Sequence, residues 1–259
     1  MTDPNDGRGT PFGGWRIGRL VSAGALAEVR EAASPAGAVA AIKRLHAHSA
    51  LDTELRAMFV AECALTCALP PHPGLVRGLH ADTAGERPYL VMELVGGGDL
   101  RGALDGGRLS DADLRALGAS AADGAAHLHG QGWVHGDLNP SNLILANHGA
   151  VICDLGIARR AGEGGSVRGT AAYMAPEQVR GEAWTGAVDV FALGVILWEL
   201  SAGARLFHRG QPFLSMAAVV ESEPPPLPDA TLAPIVAAAL ARDPAARPSA
   251  AELAASLRG

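Results

Sequence analysis

Apolar and polar positions follow two regimes along the chain. Up to about Leu94 short apolar runs are broken by charged and turn residues, a strand-rich pattern, and beyond it the apolar positions gather into longer segments that read as helices. Tyr89-Leu90-Val91-Met92-Glu93-Leu94-Val95 reads as a buried strand and runs into the Gly96-Gly97-Gly98 linker. Ala40-Ala41-Ile42-Lys43 reads as a strand and Phe59-Val60-Ala61-Glu62 as part of a helix. Val151-Ile152-Cys153 predicts a strand that ends in Asp154-Leu155-Gly156, where the glycine lets the chain turn sharply. An alanine-rich helix carries His127 and His129. The longest apolar stretch, Val188 to Ala204, contains Asp189 and Glu199 and therefore reads as a buried helix, not as a membrane span. Pro224-Pro225-Pro226-Leu227-Pro228 breaks the chain between helices and reads as an ordinary loop, with polyproline II open to it. A flexible Gly/Pro/Asp tail is expected over residues 1–13, and the last helix is expected to end at Arg258, with no membrane anchor or sensor segment after it.

Composition bounds the answer without naming it. A chain of 259 residues, 48% apolar, is long enough to bury a sizeable core in one or two domains. Its formal net charge of -6 gives no support for nucleic-acid binding. No signal peptide is recognisable at the start. Cys63, Cys67 and Cys153 cannot all pair and fall in segments read as core, which points to a reducing cytoplasm. Cys63 and Cys67 share a helical spacing that could bind metal, but no His or Cys cluster nearby completes four ligands, so packing is the better reading.

The chemistry lies in His135-Gly136-Asp137-Leu138-Asn139-Pro140-Ser141-Asn142, which sets one carboxylate and one amide at the spacing a phosphoryl-transfer site needs. The run resembles the HRDLxxxN catalytic loop of protein kinases, and it does not stand alone. Val151-Ile152-Cys153-Asp154-Leu155-Gly156 resembles the DFG metal site. Gly169-Thr170-Ala171-Ala172-Tyr173-Met174-Ala175-Pro176-Glu177-Gln178 is close to the GTxxYMAPEQ segment of bacterial Hanks-type serine/threonine kinases. Ala40-Ala41-Ile42-Lys43 resembles VAIK, His72-Pro73-Gly74-Leu75-Val76 resembles HPNIV, and Arg242-Asp243-Pro244-Ala245-Ala246-Arg247-Pro248 resembles RDPxxRP. Taken singly, an Asp after a strand is a turn or cap residue and a lone Lys or Glu a solvated charge; the ordered set over residues 15 to 258 carries the resemblance.

That resemblance implies an α+β, bilobal protein-kinase-like fold: an antiparallel-sheet N-lobe with one main helix, residues 14–94, binding ATP, and a mainly helical C-lobe, residues 95–259, for catalysis and substrate. It implies a serine/threonine protein kinase using ATP with Mg2+ or Mn2+ on protein substrates. Asp137 would be the catalytic base, Lys43 the phosphate anchor, Glu62 its ion-pair partner, and Asn142 and Asp154 the metal ligands. Val21, Ser22, Gly24, Ala27, Val29, Ala41 and Ile144 would line the nucleotide, with Met92 as gatekeeper. Backbone groups of Glu93 and Val95 would bond the adenine edge, and Asp99 would face the ribose or serve as a helix N-cap. Asp189 should hold the catalytic-loop backbone, Arg247 should pair with Glu177, and His135 should be a scaffold residue.

Three departures from the family pattern bear on activity. Ser22-Ala23-Gly24-Ala25-Leu26-Ala27-Glu28-Val29 keeps only the middle glycine and the final valine of GxGxxGxV, which restricts close approach of amides to phosphates. Gly136 replaces the arginine of HRD, so the cation that reads an activation-loop phosphate is missing and constitutive activity is expected. Asn139, counted with the catalytic residues, stands where a lysine neutralises the transferring group, and losing such a donor costs about 10² to 10³ in rate. Ser166 and Thr170 are the hydroxyls of the activation segment, Thr170 in a structural role. Two alternatives follow: a pseudokinase scaffold with weak or absent transfer, and a small-molecule phosphotransferase with an HGD loop.

Overall fold

The structure, a computed structural model, describes residues 11–102, 110–147, 149–164 and 167–259. Residues 1–10 of the expected tail and Ser166 lie outside these. Two compact units emerge: residues up to Pro71 with Val76–Val95, and His72–Leu75 with Gly96–Gly259. The expected boundary after Leu94 thus differs by one residue, and the His-Pro-Gly-Leu run belongs to the second unit.

In the first unit a six-stranded sheet runs β1 (Pro11–Phe12), β2 (Trp15–Ala23), β3 (Ala27–Ala33), β4 (Val39–Leu45), β6 (Tyr89–Met92), β5 (Gly78–Asp82), every neighbouring pair antiparallel. Pro11 and Phe12, expected in the flexible tail, pair with Arg16 and Trp15. Strand parity sorts β4: Ala40 and Ile42 join Ile17, Ala32, Tyr89 and Val91 in one buried cluster, which leaves Ala41 and Lys43 on the opposite face. A short helix α1 (Ala47–Leu51) precedes α2 (Thr53–Ala68). Asp52 caps α2 by accepting the Glu54 and Leu55 N–H groups at 2.9 and 3.0 Å. Phe59, Glu62, Cys63 and Thr66, spaced for one helical face, are buried. Cys67, expected in the core, is exposed at the edge of that stripe, in a groove with Leu79 and His80.

The second unit is built on α3 (Asp111–Gly130), capped by the Ser110 side chain, and α5 (Ala187–Ala202), which packs against it and is buried at nearly every position, as expected of its long apolar stretch. Here β7 (Trp133–Val134) pairs with β10 (Arg159–Arg160), and β8 (Leu143–Ala146) forms a hairpin with β9 (Gly149–Ile152). Helices α4 (Pro176–Val179), α6 (Pro212–Glu221), α7 (Ala233–Ala239) and α8 (Ala250–Arg258) complete it. Between α6 and α7 the proline run is a loop whose Pro225 carbonyl accepts the Trp198 indole N–H at 2.8 Å. The His72–Leu75 segment lies directly on α3: a Cβ on Gly124 would stand 2.4 Å from the Gly74 carbonyl oxygen, so neither backbone tolerates a side chain there. No helix among the described residues is long and apolar enough to cross a membrane.

Candidate active site

In the first unit strand parity aims Lys43 at α2, where its Nζ meets Glu62 Oε1 at 2.6 Å with both side chains largely out of water. Burial makes each charge of the pair depend on its polar partners rather than on water. The turn between β2 and β3 is closed by Gly24 N–H on the Ala27 carbonyl at 2.9 Å. Gly24 has an ordinary φ and room for a methyl group, so this turn makes no steric demand for glycine. Ser22 and Gly24 are exposed, Ala27 and Val29 half-buried, and Val21 is 45% exposed. Ala41 and Met92 are buried. The Glu93 N–H is bonded to the Arg77 carbonyl at 3.0 Å, so Glu93 can offer an adenine edge only its own carbonyl. Val95, half-buried, follows directly after.

In the second unit the catalytic-loop backbone hangs on Asp189, which is fully buried. Its two oxygens accept the His135 N–H at 2.9 Å and the Gly136 N–H at 2.8 Å, and His129 Nε2 at 2.8 Å. Burial alone would raise the Asp189 carboxyl; the hydrogen bond and charge of His129, the charge of His135 and the Gly136 N–H hold it below its ordinary value instead. His135 is a scaffold as expected, its ring spanning the Cys153 carbonyl at 3.1 Å and the Asp137 N–H at 3.2 Å.

Gly136 has φ +78°, and a Cβ there would lie 2.1 Å from Cζ3 of Trp184. Where the family pattern has an arginine side chain this protein has a fully buried indole. The Arg159 guanidinium stacks 3.6 Å over that ring, and Arg160 lies 4.3 Å over Trp133. These two arginine–tryptophan pairs, with the β7–β10 ladder and Gly162 N–H on the Trp184 carbonyl at 2.7 Å, tie down the segment after Asp154 without a phosphate.

Around Asp137 the groups converge. Oδ1 accepts the Thr170 N–H at 2.7 Å, and Asn142 Nδ2 donates to the Asp137 carbonyl at 2.9 Å. That leaves Asn142 Oδ1 with no bond among the described residues. Asn139 Nδ2 donates to the Asp137 carbonyl at 3.0 Å and to Thr170 Oγ1 at 3.2 Å, while its Oδ1 caps Ser141 N–H at 2.9 Å. Asn139 is therefore a clamp between loop and activation segment, and Thr170 is structural. Burial pushes the Asp137 carboxyl above its ordinary value, with bonds from Thr170 and the charge of His135 pulling against it. Asp154 is exposed, with φ +64°, the one positive φ of a non-glycine residue among the described residues. Its Oδ1 accepts the Gly156 N–H at 3.2 Å. Aspartate is one of the few non-glycine residues that visit this region, where its short side chain can bond locally as it does here. Asp99 caps the following turn, accepting Gly102 N–H at 2.7 Å, and its backbone bridges to Ile144 on β8.

Farther out, Arg247 meets Glu177 with both nitrogens, at 2.6 and 2.9 Å, nearly without exposure. Gln178 donates to the Gly136 carbonyl at 2.9 Å and accepts Ala175 N–H at 2.9 Å. Trp184, His129, Gln178 and the Tyr173–Glu199 pair were not anticipated from the sequence, since each acts through a partner far along the chain. Among the described residues no three His, Cys, Asp or Glu side chains cluster as a metal site.

The sequence profile of the protein kinase domain matches residues 15–257. The serine/threonine-protein kinase PkaA of Streptomyces coelicolor is 36% identical over 265 residues, covering 97% of this chain and 48% of its own length. The probable serine/threonine-protein kinase PkwA of Thermomonospora curvata is 33% identical, with coverages of 95% and 34%. The serine/threonine-protein kinase PknA of Mycobacterium tuberculosis is 36% identical over 234 residues, 85% of this chain and 54% of its own. The chain thus spans about a third to just over half of the length of these relatives.

Proposed function

The chain belongs to the protein kinase domain family, and from that premise we propose that it is a serine/threonine kinase transferring the γ-phosphoryl group of MgATP to protein hydroxyls. The observation that carries this reading is the Asp137 carboxylate, held by the Thr170 N–H on a loop pinned by buried Asp189, with the Asn142 amide beside it. Asp137 orients the acceptor hydroxyl and takes its proton. Lys43, kept extended by Glu62, meets the nucleotide phosphates. Val21, Ser22, Gly24, Ala27, Val29, Ala41, Met92 and Ile144 line the nucleotide, with the Glu93 carbonyl and Val95 at its adenine edge and the second oxygen of Asp99, unbonded among the described residues, at its ribose.

Asn142 Oδ1 and the Asp154 carboxylate are hard oxygen donors and fit Mg2+ or Mn2+, which complete their shell with phosphate oxygens and water. When bound, MgATP supplies the phosphoryl group and the metal charge that steadies its oxygens. The arginine–tryptophan pairs support constitutive activity, because they order the segment where a phosphate would otherwise be read. Protein substrates and a cytoplasmic setting belong to the same proposal; the three free cysteines favour the latter.

One observation favours the pseudokinase reading: the Gly24 N–H is spent on Ala27 and is not free to meet a phosphate. The test is transfer of label from γ-³²P-ATP, with Mg2+ or Mn2+, to the protein itself and to peptide acceptors. Label with wild type that disappears with Asp137→Asn supports a kinase; no label with wild type sinks the proposal.

A further inference from the structure

Tyr173 stands three residues beyond Thr170, and its N–H donates to the Thr170 carbonyl at 2.8 Å. Since the Thr170 N–H is itself on Asp137 Oδ1, the ring is rooted within about 10 Å of chain from the carboxylate that would activate an acceptor. The phenol is buried and donates to Glu199 Oε2 at 2.6 Å. Glu199, itself 2% exposed, has its other oxygen filled by Arg205 Nε at 3.2 Å and the Leu206 N–H at 3.0 Å. Two guanidiniums flank the ring: Arg101 lies 5.8 Å and Arg205 5.6 Å from its centroid.

The charges do not balance. Arg101 makes one hydrogen bond, to the Tyr173 oxygen, and has no carboxylate partner among the described residues. Arg205 keeps 39% of its side chain in water. A cation arriving here meets two guanidiniums and a carboxylate with no exposed oxygen left to offer. An anion meets unspent N–H donors in the fork geometry that suits a carboxylate.

We propose that Arg101, Arg205 and Tyr173 form a subsite that selects acidic side chains within two to five residues of the phosphoacceptor. This rests on the kinase reading above. The reach follows from the short chain path plus one tyrosine length, at about 3.3 Å per extended residue.

The experiment uses three matched serine peptides differing only by Glu, Ala or Arg at those positions. Wild type is expected to rank them Glu, Ala, Arg in kcat/KM, through KM, with steps of roughly threefold to tenfold for partly exposed charge pairs. Arg101→Gln and Arg205→Gln should each shrink the Glu-to-Arg ratio, and Arg101→Glu should reverse it. Wild type indifferent to charge or preferring Arg, or a ratio unchanged in both Gln variants, overturns the proposal. Should Arg205→Gln not fold, because Glu199 depends on it, Arg101→Gln carries the test alone. If no peptide is phosphorylated the kinase reading fails, and fluorescence anisotropy of the same labelled peptides still decides the charge order.

Discussion

Restoring a side chain at Gly136 tests how this protein dispenses with the missing arginine. Gly136→Ala forces an L residue to φ +78°, which costs about 1–2 kcal/mol. Its Cβ would also stand 2.1, 2.8 and 3.0 Å from three atoms of the Trp184 ring, where carbon contacts settle near 3.5–4.0 Å. The indole is fully buried, so it moves only by disturbing its neighbours, and overpacking of that kind costs about 1–3 kcal/mol. The expected loss of about 2–5 kcal/mol is a large share of a typical folding free energy. Trp184→Ala alone should cost about 3–5 kcal/mol through its cavity. In that background Gly136→Ala should retain only the φ cost, giving a coupling of about 1–3 kcal/mol in a double-mutant cycle. Urea unfolding of the four proteins, followed by far-UV circular dichroism, measures it. Equal costs of Gly136→Ala with and without the indole would refute the account.

Four further outcomes follow from the site. Arg247→Ala leaves the Glu177 carboxylate buried and unpaired and should cost about 3–5 kcal/mol in urea unfolding, far more than an exposed arginine would. Asn139→Ala removes three hydrogen bonds and should lower stability by about 1–3 kcal/mol while loosening protease resistance around Thr170; an unchanged digest would contradict the clamp. Because burial raises the Asp137 carboxyl above 3.8, the base form is reached only at higher pH, and the acid limb of kcat/KM should lie above that value. By the same linkage the ionised Asp137 is disfavoured in the folded state at neutral pH, with the stabilising proton lost as pH rises through the folded pKa. Asp137→Asn should therefore melt no lower than wild type at pH 7, and a clear drop in Tm would count against it.

Local pattern carried the fold as far as period and parity reach. The alternation in Ala40-Ala41-Ile42-Lys43 explains why Lys43 lies opposite the buried cluster, and the spacing of Phe59, Glu62 and Cys63 why Glu62 is on the inner face of α2, but their pairing at 2.6 Å was legible only through the resemblance. The long apolar stretch of α5 likewise announced a buried helix with Asp189 and Glu199 inside it. Glu177 and Arg247, 70 residues apart, were legible only through resemblance, since no period links them. Trp184 was not legible, because its meaning lies in the space above Gly136 and in Arg159 stacked on its other side. The arginines around Tyr173 were hidden for the same reason: Arg101, Tyr173 and Arg205 meet only after folding. Cys67 was misplaced because its helical spacing from Cys63 says nothing about where the sheet cover stops.

The central claim is that an intact catalytic set acts behind a phosphate loop poor in glycine. The most direct test measures MgATP binding and transfer on the same two samples, wild type and Asp137→Asn. Tm should rise with MgATP in both, and γ-phosphoryl transfer to a serine peptide should occur with wild type and fall by about 10² to 10⁴ in the variant. A Tm rise in both with no transfer from wild type, or equal transfer by both, would contradict the claim.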